Sequence, residues 1–218
     1  MARALTIRNL YDKVYSYLPL SDEWQAIGED TEDSGLWLIY GKEKNGKTTF
    51  ALKLANYLSS ISKVLYVSAE EGVSTNISRT CQRVGISVTN KTLHIIEYLP
   101  MAELKEKLKK RKSANIIFID NTTEYRYEMK NNDVSDLLKL FPNKLFIFLA
   151  HEGGKDKGEP DIALAKFCKK KAKRVFHVVG LTAQVLGRTE TAVIPVESET
   201  AALCHGDIIN NQLDNMED

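Results

Sequence analysis

The sequence predicts an α/β domain: a mostly parallel sheet covered by helices on both faces, with an antiparallel extension at its C-terminal edge. Three observations predict it. Short apolar runs alternate with amphipathic runs along most of the chain, the pattern of repeated strand-then-helix units. The runs ANIIFID and KLFIFLAH are apolar almost throughout, as in strands covered on both faces of a parallel sheet. After Lys173 the pattern changes to shorter β runs punctuated by Gly180 and by Gly187-Arg188-Thr189-Glu190, which predicts antiparallel strands at the sheet edge.

The elements follow in order. Residues 1–34 form an N-terminal helix and irregular segment, with a short amphipathic helix over 9–17 and then the carboxylate-rich stretch SDEWQAIGEDTEDSG, which has no sustained period. The core runs over 35–197. Residues 36–40 are an apolar strand, and 48–59 place Phe50, Leu52, Leu54, Ala55 and Leu58 near helical spacing. A strand over 63–68 and a helix ending at Gly85 repeat the unit. A strand over 93–99, a basic helix over 101–112 and a strand over 114–120 come next. A helix over 132–141 leads into the strand over 144–151, which breaks into the polar loop EGGKDKGEP before a helix over 162–171. Residues 198–218 are mostly polar, end acidic and read as a flexible tail.

Composition bounds the function. With 43% hydrophobic residues over 218 positions, one large core is within reach. Thirty basic and twenty-nine acidic residues leave a formal charge of +1, so any affinity for anions must be local. Cys81, Cys168 and Cys204 are odd in number, far apart and without CxxC spacing, which excludes a disulfide framework and a zinc ribbon. Without a cleavable leader pattern or eighteen consecutive apolar residues, the expectation is a cytoplasmic protein with no membrane partner.

The chemistry centres on Gly41-Lys42-Glu43-Lys44-Asn45-Gly46-Lys47-Thr48, which matches GxxxxGK(S/T) directly after a predicted strand and at the start of a predicted helix. In that setting backbone N–H groups converge on phosphate oxygens and the helix N-terminus adds partial positive charge. Lys47 then reaches the terminal phosphates, Thr48 offers a hydroxyl to Mg²⁺, and Thr49 sits near the α-phosphate. ATP and Mg²⁺ are the expected ligands. Such a loop needs a further carboxylate for the metal, supplied from the end of a neighbouring apolar strand, and ANIIFID ends at Asp120. YVSAEEG places Glu70 and Glu71 at another strand end, where a carboxylate can face the γ-phosphate and activate water, or where two glutamates are simply solvated on a turn.

With these residues in place, the chain resembles the RecA-like P-loop ATPases, the RadA and DnaB relatives in particular, over 35–196. The family's order is P-loop, catalytic glutamate after the second core strand, metal-binding aspartate, then a polar γ-phosphate sensor at the end of the next strand. The resemblance therefore implies Lys47 and Thr48, Glu70 rather than Glu71 as water-activating base, Asp120 for the metal, and His151 as sensor. Arg79 and Arg83 resemble arginines of the RadA helix at the same place. EGGKDKGEP and the following helix resemble a DNA-binding loop and its support, which implies single-stranded DNA contacts at Lys155, Lys157, Lys169, Lys170 and Lys171; a solvated face accounts for the same charges.

The resemblance further implies a homo-oligomer with ATP at the subunit interface, reached in trans by Arg188. The expected function is a Mg²⁺-dependent ATPase acting on DNA in recombination, repair or replication. A KaiC-like nucleotide-gated assembly module with a protein partner is the alternative. A small-molecule kinase fits less well, because no arginine-rich lid follows Asp120.

Overall fold

Alternation of side chains along each strand divides the core into two layers. In the computed structural model, which describes residues 4–154, 158–186 and 192–197, eight strands make one sheet in the order β3-β2-β4-β5-β1-β6-β7-β8. They are β1 (Gly35–Gly41), β2 (Val64–Ser68), β3 (Leu93–Glu97), β4 (Ile116–Asp120), β5 (Leu145–His151), β6 (Arg174–Val179), β7 (Thr182–Leu186) and β8 (Ala192–Pro195). Trp37, Ile39, Tyr66, Phe118 and Ile147 point to one face, where α2 (Lys47–Ile61) and α3 (Thr75–Arg83) pack. Leu36, Leu38, Val67, Ile117, Ile119 and Phe148 point to the other, under α4 (Met101–Lys109), α5 (Asn131–Leu140) and α6 (Ala163–Lys171). Strands covered on both sides have no use for polar residues, which is why they read as unbroken apolar runs.

Each helix shows the same economy. Phe50, Leu54 and Leu58, with Ala51 and Ala55, line the buried face of α2 at intervals of three and four residues. Ser74 caps α3, its hydroxyl accepting the Ile77 N–H at 3.3 Å. Aromatic packing fixes α2 on the sheet: the Phe50 ring lies 5.4 Å from Phe176 and 6.0 Å from Trp24.

Three local readings change. The antiparallel extension begins one strand later than the pattern suggests: β6 runs parallel to β1, and only β7 and β8 are antiparallel. The first helix is α1 (Ile7–Tyr11), capped by Thr6 and with no buried residue, so its apolar side has nothing to pack against among the described residues. The carboxylate-rich stretch after it is part of the core, because a 3-10 helix over Asp22–Ile27 buries Trp24 and Ile27. Arg174 at the start of β6 holds that segment in place, donating to the Ile27 carbonyl at 2.7 Å and to Thr31 Oγ1 at 3.1 Å. No helix among the described residues is long and apolar enough to cross a membrane.

Because Phe50 joins α2 to both the sheet and the N-terminal segment, Phe50→Ala is expected to lower stability by about 3–5 kcal/mol. Urea unfolding with an unchanged slope and a lower midpoint is the expected measurement.

Candidate functional site

Parallel pairing brings the ends of four strands to one edge of the sheet. Gly41 of β1 lies opposite His151 of β5, and Ser68 of β2 opposite Asp120 of β4. Because β5 is inserted between β1 and β4, His151 falls between the loop after Gly41 and the end of the Asp120 strand. The open edge at the carboxyl ends of the strands is where an α/β sheet of this kind forms its ligand crevice.

The loop from Gly41 to α2 is shaped by close backbone approaches. A Cβ on Gly41 would lie 2.2 Å from the Val178 carbonyl oxygen of β6, so only glycine fits there. Gly46 caps α2 with φ 88°, and a Cβ there would also meet Leu181 Cδ2 at 2.8 Å. Asn45 adds a weak tether, its side-chain oxygen accepting from the Gly180 N–H at 3.4 Å. Lys47, 8% exposed, folds its ammonium back onto the loop and donates to the Lys42 carbonyl at 2.8 Å. Burial holds its pKa below the ordinary lysine value, against the opposing pull of Glu70, Asp120 and Glu43. A desolvated cation whose hydrogen-bond partner is a neutral carbonyl is well prepared to take an anion.

Asp120 is 4% exposed and accepts a hydrogen bond from Tyr66 Oη at 2.6 Å. Burial pushes its pKa up to about 7, further raised by Glu70 and Glu71 and opposed by the Tyr66 bond and Lys47. The two adjacent glutamates line different clefts. Glu70 lines a cleft of 620 Å³ with Lys42, Glu43, Asn121, His151 and Glu152. Glu71 lines a second cleft of 590 Å³ with Lys47, Thr48, Thr49, Arg79 and Arg83. In the first cleft Glu70 Oε1 lies 3.3 Å from His151 Nε2, and Glu70 also accepts from Asn121 Nδ2. Pairing with His151 holds the Glu70 carboxyl below its ordinary pKa and raises that of His151. Glu71, by contrast, is raised by burial and by the neighbouring Glu70 charge. In the second cleft Arg83 donates to Thr49 Oγ1 at 3.0 Å.

Beyond His151 the chain enters a tied-down loop. Glu152 N–H donates to the Gly41 carbonyl at 2.9 Å, and the Glu152 carboxylate takes bonds from the Gly158 N–H and from His177, each at 2.9 Å. The His177 ring stacks on Tyr40, with centroids 4.5 Å apart and planes 7° from parallel. Tyr40 Oη in turn donates to the Gly158 carbonyl at 3.0 Å. Lys169 is drawn into this network through Tyr40 Oη at 3.1 Å and Glu159 at 2.9 Å. Its ammonium therefore faces inward onto the loop, whereas Lys170 and Lys171 are exposed at the end of α6. Lys155, Lys157 and Arg188 lie outside the described residues.

Sequence reasoning overlooked Asn121, Tyr40, Glu152 and His177. Each except His177 is a chain neighbour of a predicted residue, which is the only signal that points to them; His177 carries none.

The residues suit the ligands that the motif implies. Gly41 and Gly46 leave room that a side chain would fill, Lys47 is a buried cation beside the loop, and Asp120 is a buried carboxyl that a cation would neutralise. Among the described residues no cluster of three His, Cys, Asp or Glu forms a metal centre of its own, so a cation would share Asp120 and Thr48 with phosphate oxygens and water.

No protein-family model matches the chain, and no curated protein matches it in sequence. Solved structures do match. The flagellar accessory protein FlaH from Methanocaldococcus jannaschii superposes with a TM-score of 0.57 at 19% identity, over 80% of this chain and 88% of that one. The KaiC-like protein PH0186 from Pyrococcus horikoshii OT3 superposes with a TM-score of 0.58 at 17% identity, over 82% of this chain and 89% of that one. Both the likeness and the strand order place this chain in the fold of the RecA-like P-loop ATPases, with antiparallel strands at the C-terminal edge of a mostly parallel sheet.

Proposed function

We propose that the protein is a cytoplasmic, Mg²⁺-dependent ATPase whose nucleotide state is passed through His151 to the loop over 152–160 and from there to DNA. The reading is carried by one observation: the P-loop, Glu70, Asp120 and His151 share one edge of the sheet, with Glu70 and His151 lining one cleft. The unpaired thiols of Cys81 and Cys168 agree with a reducing compartment. In this reading Gly41 to Thr49 hold the triphosphate, and Lys47 leaves the Lys42 carbonyl for the β- and γ-phosphate oxygens. Glu70 orients a water in line with the γ-phosphate and takes its proton as the bond from phosphorus to the bridging oxygen breaks. Thr48 and Asp120 would hold Mg²⁺, which would supply positive charge to the phosphate oxygens when bound. His151 contacts the γ-phosphate, and Glu152, the next residue, carries its position to the loop through His177 and Gly158.

Exposed Lys170 and Lys171, with Lys155 and Lys157 in the loop, support single-stranded DNA as the target. The second reading is a KaiC-like assembly module, in which ATP joins copies of the chain and the output goes to a protein. It is favoured by the inward turn of Lys169 and by the neighbours themselves, one KaiC-like and one a flagellar accessory protein. In both readings the nucleotide lies at a subunit interface, with Arg188 of an adjacent copy completing the site.

Three outcomes follow from this assignment. Lys47→Ala is expected to weaken ATP binding at least tenfold, whereas Glu70→Gln keeps nucleotide binding and loses about 10²–10⁴ in turnover; wild-type turnover in both variants would remove the site assignment. ATP turnover is expected to rise with single-stranded DNA at low salt and to lose that response as salt increases. Turnover and binding indifferent to DNA, together with an ATP-dependent rise in mass by light scattering, would select the assembly reading instead.

The third outcome concerns Asp120. Its folded pKa lies above its unfolded one, so between the ordinary carboxylate range and about pH 7 the folded state holds a proton that the unfolded state has lost. Metal-free protein is therefore expected to lose stability as pH rises through that window. Asp120→Asn should flatten the loss, as read from urea midpoints at pH 5 and pH 8 without Mg²⁺.

A further inference from the structure

The assigned roles leave one buried polar side chain of the cleft unused. Asn121 is 1% exposed and directly follows Asp120. Its orientation is set from behind, because Oδ1 accepts the Thr123 N–H at 2.8 Å. The amide nitrogen must therefore face forward, and both of its hydrogens have partners: Nδ2 donates to the Glu70 carboxylate and lies 2.8 Å from His151 Nε2.

That arrangement has a chemical consequence. An amide nitrogen has no lone pair to offer, so it bonds to His151 only if Nε2 accepts, which puts the ring proton on Nδ1. His151 Nδ1 is buried and has no hydrogen-bond partner among the described residues. With a proton on Nε2 instead, His151 would turn to Glu70 Oε1 at 3.3 Å and meet Asn121 donor against donor. The two patterns exclude each other. In both, the Asn121 amide remains on Glu70.

We infer that Asn121 is a positioning residue, which holds the Glu70 carboxylate in line for water and links it mechanically to His151. The inference rests on the proposed role of Glu70 as base. Asn121 touches neither phosphate nor water in this scheme; it acts through Glu70, and its contribution disappears when Glu70 can no longer act.

Single-turnover ATP hydrolysis and nucleotide affinity, measured for Asn121→Asp, Asn121→Ala, Glu70→Gln and the Asn121→Ala/Glu70→Gln double variant, test this. Asn121→Asp keeps the acceptor for the Thr123 N–H and replaces the donor on Glu70 with a like-charged carboxylate, so it breaks the link to Glu70 yet preserves the turn should the alanine variant fold poorly. Both single Asn121 variants are expected to slow hydrolysis by roughly ten- to a hundredfold, with nucleotide Kd within about twofold of wild type for the neutral Asn121→Ala. The Asn121→Ala penalty should vanish in the Glu70→Gln background. A wild-type rate in Asn121→Asp, or a penalty that adds in full to that of Glu70→Gln, would overturn the inference. A wild-type rate in Glu70→Gln alone would instead overturn the assignment of the base on which it rests.

Discussion

Parallel pairing of β1 with β5 is the constraint on which the rest of the site depends. It sets Gly41 beside His151, residue against residue, and keeps β4 one strand further away. One residue inserted into β5 would turn His151 to the opposite face of the sheet, because side chains alternate along a strand. The register is held by the alternation itself: Trp37, Ile39, Ile147 and Leu149 fill one layer while Leu36, Leu38, Phe146 and Phe148 fill the other. A core that is apolar on both faces thus fixes the placement of the few polar groups at its edge.

Those polar groups sit in unlike surroundings, and the differences sort them chemically. Lys47 is desolvated beside a carbonyl, Asp120 is desolvated beside a phenol, and Glu70 is half-exposed beside a histidine and an amide. Burial makes the first two costly to leave charged and uncompensated, so an anion near Lys47 and a cation near Asp120 each relieve a penalty present in the free protein. Glu70 already has partners for its charge. It is the member of the set with a solvent-facing carboxylate next to the cleft.

Legibility in the sequence followed the length of the signal. Strands such as Ile116–Asp120 and Leu145–His151 were readable because burial on both faces demands unbroken apolar runs. The P-loop was readable because glycine at two fixed points answers to steric limits that other residues break. The choice between Glu70 and Glu71 was not readable from spacing, since adjacent residues diverge only once the turn after β2 is formed; it took the resemblance to choose one, and the structure puts the two in separate clefts. The direction of β6 was equally hidden. Its apolar pattern serves a parallel or an antiparallel neighbour, and the partner that decides, β1, lies far back in the chain. Tyr40 and His177 meet by stacking across paired strands, a contact with no local sequence signature at all.

The backing of the phosphate loop has an implication for when the loop exists. Gly41 rests against Val178, Asn45 against Gly180 and Gly46 against Leu181, all three supports coming from the β6–β7 corner. The motif itself is complete by Thr48, near the beginning of the chain. During synthesis the ribosome must therefore release well over a hundred further residues before the wall behind the loop is present. A nascent chain carries the motif long before it carries the rigid cradle, so full phosphate-binding geometry is a late product of folding rather than a property of the motif.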